Sequence, residues 1–266
     1  MLKELRKKEF ANGTVYALET DDGYPLEVTD TFLPFYTKEC INGNNILQDS
    51  NLGSREERWM IGVSCQSGCP VGCKFCATGK LTKYRNLTSE EIINQVLFAV
   101  NKNLKDMPHY FLPFKSKEFK INYTRMGEPF LNIKNVIKAI NFFKKNIPNS
   151  HNYISTIGLK GSDFSWIEGN ITLQISLHSL DEKRRQELIP VNNLMSLEEL
   201  GQIRTKSYLK TTLNLTLVDE EDFDIEKLKK YFDPEYFFIK LSPINKNFIS
   251  EKNNMGDGII KTKNII

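Results

Sequence analysis

"RWMIGVSCQSGCPVGCKFC", residues 58–76, begins as an apolar run and ends in a loop that carries four of the chain's five cysteines, Cys65, Cys69, Cys73 and Cys76. A short apolar run bounded by turn residues reads as a buried strand. Five more runs follow it: "FKINYT" (119–124), "NYISTIG" (152–158), "ITLQISLH" (171–178), "TTLNLTLV" (211–218) and "YFFIKLSPI" (236–244). Helical spacing lies between most of them. In "TSEEIINQVLFAVNKNL" (88–104), Ile92, Ile93, Val96, Leu97 and Val100 share one face, and Thr88 with Glu91 makes a capping box. "NIKNVIKAINFFKKNI" (132–147), "SLEELGQIRTKS" (196–207) and "DIEKLKKYF" (224–232) have similar spacing. Alternating strands and helices predict an α/β fold with a parallel sheet. Six units fall short of a closed eight-fold barrel, so the expected architecture is a partial, TIM-like (βα)6 barrel over residues 57–247.

Before that core, residues 1–56 read as a short N-terminal β extension. "TVYALE" (14–19) and "PLEVTDTFL" (25–33) flank an Asp-Gly turn, and the polar stretch 37–56 reads as a loop. Residues 248–266 read as a C-terminal tail, and 105–118 match no element. Composition is ordinary for a soluble domain, with 40% hydrophobic and 26% charged residues. No run approaches the roughly 20 apolar residues of a membrane span. "MLKELRKKEF" is basic without an apolar core behind it, so a cytoplasmic location is expected. In a reducing compartment, clustered cysteines more often bind metal or catalyse than form disulfides. A net charge of +3 neither demands nor excludes a nucleic-acid partner, and nothing indicates DNA.

Barrel chemistry gathers at the carboxyl ends of the strands. There this chain places the cysteine cluster, then Gly127-Glu128-Pro129, Ser155, Ser176-Leu177-His178 and Asn245. Soft thiolates on one tight loop suit zinc or an iron–sulfur cluster. Zinc would need Cys65 as a fourth ligand and usually prefers two separate C-x-x-C knuckles. Four cysteines could instead ligate an electron-transfer cluster fully, or Cys69, Cys73 and Cys76 could hold a [4Fe-4S] cluster with one iron open.

C-x3-C-x2-C with the aromatic Phe75 before its last cysteine resembles the signature of radical S-adenosylmethionine (SAM) enzymes. "RNLTSEEI", "MGEPFLN", "STIG", "ISLHS", "IPVN" and "SPIN" follow in order and resemble the RlmN/Cfr branch of adenosine methylases. The resemblance implies SAM and a [4Fe-4S] cluster as cofactors and a reductant such as flavodoxin or ferredoxin. A nucleotide or RNA-base substrate follows as well. It places Gly127 and Glu128 at the methionine amino group, Ser155 and Ser176–His178 at other cofactor contacts, and Asn245 near the adenosine. Asp30 falls where the family has a glutamate proposed as a proton acceptor. A carboxylate beside a hairpin ordinarily sits in solvent, which is the plainer expectation for Asp30.

The chain departs from that branch in three places. The cysteine that carries the methyl group near the family's C-terminus has no counterpart in "KNFISEKNNMGDGIIKTKNII" (246–266). The second family cysteine falls at Gly62. The family's N-terminal helical RNA-binding domain is not represented. Cys40 or Cys65 would have to replace the carrier. The expected activity is therefore reductive SAM cleavage and hydrogen abstraction without the methyl shuttle. Methylation through another carrier and a non-catalytic iron–sulfur protein are the alternatives.

Overall fold

A computed structural model describes residues 2–34, 52–81, 84–104, 115–219 and 222–255. Cys40, most of the 37–56 loop and residues 105–114 lie outside the described residues. The chain divides into two compact units. The first comprises Met1–Ser67, Arg85–Met126 and Asn132–Tyr153; the second comprises Gly68–Tyr84, Gly127–Leu131 and Ile154–Ile266.

In the first unit β1 (Lys3–Phe10), β2 (Gly13–Glu19), β3 (Pro25–Phe32) and β4 (Arg58–Val63) pair antiparallel in that order. β5 (Glu118–Tyr123) then pairs parallel to β4, with Arg58 opposite Glu118 and Val63 opposite Tyr123. β6 (Ser150–Thr156) follows β5 in strand order, its first four residues in this unit and the rest in the second. α1 (Ser89–Leu104) and α2 (Ile133–Asn146) bury Ile92, Val96, Val136, Ile140 and Phe143 in the core. The Thr88–Glu91 capping box forms as the spacing predicts, with each side chain accepting the other's backbone N–H. β1 was not legible as a strand. "KELRKKEF" is nearly all exposed, so it has no alternating apolar face and is held by its backbone ladder to β2.

In the second unit the strand order continues from the end of β6 to β7 (Ile171–Ser176), β8 (Thr211–Thr216) and β9 (Phe237–Ser242), and β7–β8 and β8–β9 are parallel. α3 (Glu182–Leu188), α4 (Leu197–Gly201), α5 (Ile225–Tyr231) and α6 (Phe248–Lys252) complete it. All six expected strands are present. The helix expected over 196–207 stops at Gly201, where an added Cβ would strike the Tyr231 carbonyl oxygen. The first part of the expected tail is ordered instead as α6, capped by Asn247.

Asp30 is not solvated. It has no exposed surface, and it lies on the core face of β3 with Leu26 and Val28. Trp59 Nε1 donates to it at 2.6 Å, Arg55 at 2.6 Å and Asn103 Nδ2 at 2.8 Å. All three donors belong to the first unit, so Asp30 is built as a buried, paired carboxylate. Removing it takes the acceptor from a buried indole N–H and the counter-charge from a partly buried guanidinium. Asp30→Ala should lower unfolding free energy by about 3–5 kcal/mol in urea titrations. A solvated carboxylate would cost under about 0.5 kcal/mol.

His151 supplies a pH test of the same unit. It stacks on Tyr153 at 4.6 Å, and burial, then Lys120, lower its pKa to about 4. The unfolded chain binds the extra proton below about pH 6.5, so this stability is fully present above 6.5 and is lost as pH falls toward 4. His151→Gln should flatten the stability slope between pH 6.5 and 4 relative to wild type. Parallel slopes for the two proteins would contradict that assignment.

Candidate functional site

The second unit contains Cys69, Cys73, Cys76, Glu128, Ser155, Ser176, Leu177, His178 and Asn245. The cysteine loop is fastened by local turns and by contacts distant in sequence. Gly72 takes φ 71°, a left-handed conformation that suits glycine. Cys76 N–H donates to Cys73 O at 3.1 Å, closing a turn, and Lys74 N–H donates to Leu188 O at 2.9 Å. Val71 is 5% exposed and packs with Ile157, Leu188, Leu194, Val218 and Ile244. Cys69, Cys73 and Phe75 lie against that cluster, with all three thiols half-buried.

Burial pushes the Cys69 thiol up to about 11, and nearby Cys76 and Glu128 add to it. The Cys73 thiol is raised further, by burial first and then by Cys76, Cys69 and Glu128. The three thiols and the Glu128 carboxylate belong to the same unit. Glu128 is 3% exposed. One of its oxygens accepts from Phe130 N–H at 3.1 Å and the other from Ile157 N–H at 2.9 Å. Burial raises its pKa, while the Thr156 hydroxyl and these two amides oppose the rise.

Like-charged groups gathered at one place disfavour ionisation, and a bound cationic centre reverses this by holding thiols as thiolates. The donor set therefore fits an iron–sulfur cluster beside a cationic ligand. Among the described residues no three His, Cys, Asp or Glu converge on a single metal ion. A polynuclear cluster takes each thiolate on a different iron, so its ligands stand apart.

His178 is buried and strained, with φ 63°. Its Nδ1 accepts from Thr216 N–H at 3.2 Å, and Phe75 packs edge-on at 4.6 Å. Burial, then Arg185, lower its pKa to about 3. It is neutral, with its proton on Nε2. Ser155 Oγ donates to Gln174 at 3.0 Å. Ser176 ends β7, and Leu177 is fully buried with its N–H donated to Asn214 O. Asn245 is exposed three residues beyond β9.

One residue that braces the backbone of this unit carries no sequence signal. Arg185 is buried on α3 and donates to the carbonyls of Ile157 and Met195. Its sequence neighbours are those of an exposed helix.

In the first unit, Cys65 is 1% exposed, and its carbonyl accepts from Leu87 N–H and Asn132 Nδ2. Gly62, where the resemblance implies a second cysteine, is closed off. A Cβ there would strike Thr29 Oγ1 and stand 3.0 Å from Arg125 Cδ. Arg125 is itself ion-paired with Glu27.

Residues 63–232 match the radical SAM superfamily profile. A probable dual-specificity RNA methyltransferase RlmN from Dictyoglomus turgidum is 40% identical over 227 residues, covering 79% of this chain and 62% of that protein. A protein of the same description from Pseudothermotoga lettingae is 34% identical over 226 residues, 80% of this chain and 62% of that one. The chain thus spans less than two thirds of the length of these relatives. The crystal structure of a radical SAM methyltransferase from Sphaerobacter thermophilus superposes with a TM-score of 0.63 at 23% identity. That match covers 92% of this chain and 67% of the other, and it shows the fold.

Gly62→Cys should not rebuild a thiol site. Overpacking against Thr29 and Arg125 should cost about 1–3 kcal/mol, read as a lowered denaturation midpoint. A variant as stable as wild type would show that the space is available.

Proposed function

The chain belongs to the radical SAM superfamily, and from that premise we propose that it is an RlmN-like enzyme that cleaves SAM reductively and abstracts hydrogen from a substrate. The observation that carries this reading is the Glu128 carboxylate, fixed by Phe130 and Ile157 N–H beside three thiols in one unit. Cys69, Cys73 and Cys76 would hold the [4Fe-4S] cluster. When bound, cluster and SAM together supply a 5′-deoxyadenosyl radical.

The chain's own residues orient and shield. Glu128 offers the SAM ammonium group a carboxylate that cannot turn, because both oxygens are held by backbone donors. His178, neutral and pinned at Nδ1, presents an Nε2–H donor without adding positive charge. Ser155, Ser176 and Asn245 supply polar groups at or beyond the strand ends, where the adenosine part would lie. Burial of Val71, Leu177 and Ile157 supports a dry floor under the loop.

The substrate we propose is an adenine-type base in a nucleotide or RNA, with flavodoxin or ferredoxin as reductant. No helix of the described residues is long and apolar enough to cross a membrane, and a reducing cytoplasmic setting suits the thiols. Gly62, filled over by Thr29 and Arg125, favours a reaction other than the two-cysteine methyl shuttle.

Anaerobically reconstituted protein reduced with dithionite should release 5′-deoxyadenosine from SAM. Glu128→Gln keeps an acceptor for a backbone N–H while removing the charge. It should weaken SAM binding by about 1.5–3 kcal/mol in calorimetry. Unchanged affinity would remove Glu128 from the site. Labelled 2- or 8-methyladenosine formed in added RNA would establish methylation through another carrier instead.

A further inference from the structure

The two residues between Cys73 and Cys76 are held by side chains that come from more than 170 positions away. Each carbonyl from Cys73 to Cys76 has a partner. Cys73 O accepts from Cys76 N–H at 3.1 Å, and Cys76 O accepts from Gly79 N–H at 3.2 Å. The remaining two take their donors from outside the loop. Phe75 O accepts from Asn247 Nδ2 at 2.9 Å, and Lys74 O accepts from Asn253 Nδ2 at 2.6 Å.

These asparagines stand at the two ends of α6. Asn247 is its N-cap: Oδ1 accepts from Ile249 and Ser250 N–H, which leaves Nδ2 to donate. The second Nδ2 proton goes to Asn245 O at 2.8 Å, tying the loop to the residue placed near the adenosine. Asn253 is the C-cap. The helix is seated by two further contacts. Lys80 Nζ lies 3.4 Å from the centroid of the Phe248 ring, and Met255 packs on the cluster that buries Val71.

We propose that Asn247 and Asn253 are positioning residues for the iron–sulfur cluster: α6 is a clasp whose two end amides fix the Cys73–Cys76 turn in its ligating shape. This rests on the reading of Cys69, Cys73 and Cys76 as cluster ligands. A free C-x-x-C turn can rotate its middle peptides, and each rotation swings a thiol away. Donors on both middle carbonyls stop that rotation. They also hold the Lys74–Phe75 and Phe75–Cys76 peptide dipoles in one orientation between two of the cluster ligands, and losing that orientation shifts the cluster potential.

The test uses the full chain, reconstituted anaerobically with iron and sulfide. Asn247→Ser keeps an N-cap acceptor but cannot reach Phe75 O; it is combined with Asn253→Ala. Ser250→Ala is the control, because Ser250 Oγ braces the cap through Asn247 and touches no loop carbonyl. Iron release to a ferrous chelator and the cluster midpoint potential are measured for each. The double variant should release iron about tenfold faster, the loss expected for two hydrogen bonds, and its potential should shift away from the wild-type value. Ser250→Ala should stay within about twofold of wild type with an unchanged potential. The clasp is overturned if the double variant behaves as wild type, or if Ser250→Ala reproduces its defect. Wild type that takes up no cluster overturns the ligand reading as well, and is told apart because all variants then lack the ~400 nm absorbance.

Discussion

Three half-buried thiols and a buried carboxylate lie in the second unit and feel one another's charge, and the backbone around them holds each in place. Burial and mutual repulsion raise the Cys69 and Cys73 thiols. Such a set is unfavourable to assemble unless a cationic centre binds it. The fold therefore fixes it from the backbone. Glu128 is gripped by two N–H groups, Val71 is sunk in an apolar cluster, and Lys74 N–H is tied to Leu188 O. These anchors are neutral, so they add no competing charge.

The same economy governs the neighbouring histidine and arginine. His178 is kept neutral by burial and by Arg185, and it accepts a strained backbone to place Nδ1 on Thr216 N–H. Arg185 pays for its own burial with two backbone carbonyls, and burial lowers its pKa to about 10. Backbone carbonyls can partner a cation without bringing a carboxylate toward the thiols. Polar groups around a charge-sensitive site are thus matched to peptide dipoles rather than to ions.

The first unit shows how a departure in sequence is matched by a departure in packing. Gly62 alone reads as a missing side chain. In the structure its volume is taken by Thr29 and by Arg125, which is paired with Glu27. Period-two alternation along β3 explains the arrangement. Leu26, Val28 and Asp30 face the core, while Glu27 and Thr29 face the other side, toward Gly62 and Arg125. The sequence reading of Asp30 as solvated failed at this point. A hairpin carboxylate looks exposed until Trp59, Arg55 and Asn103 are brought to it from up to 73 positions away.

Local pattern was enough for whatever depends on neighbours in the chain. The six strands follow from apolar runs, the start of α1 from Thr88 and Glu91, and the thiol set from C-x3-C-x2-C spacing. Even the placement of Glu128 and His178 after strands was legible, because chain direction alone puts strand ends on one side of a parallel sheet. What the tertiary structure decided depends on pairs distant in sequence: Arg185 against Ile157, Arg125 over Gly62, and the amides of Asn247 and Asn253 on the carbonyls inside the cysteine turn. Asparagine in a polar tail has no periodicity and no spacing rule. Its role exists only where a carbonyl that lacks a local donor is carried to it by the fold.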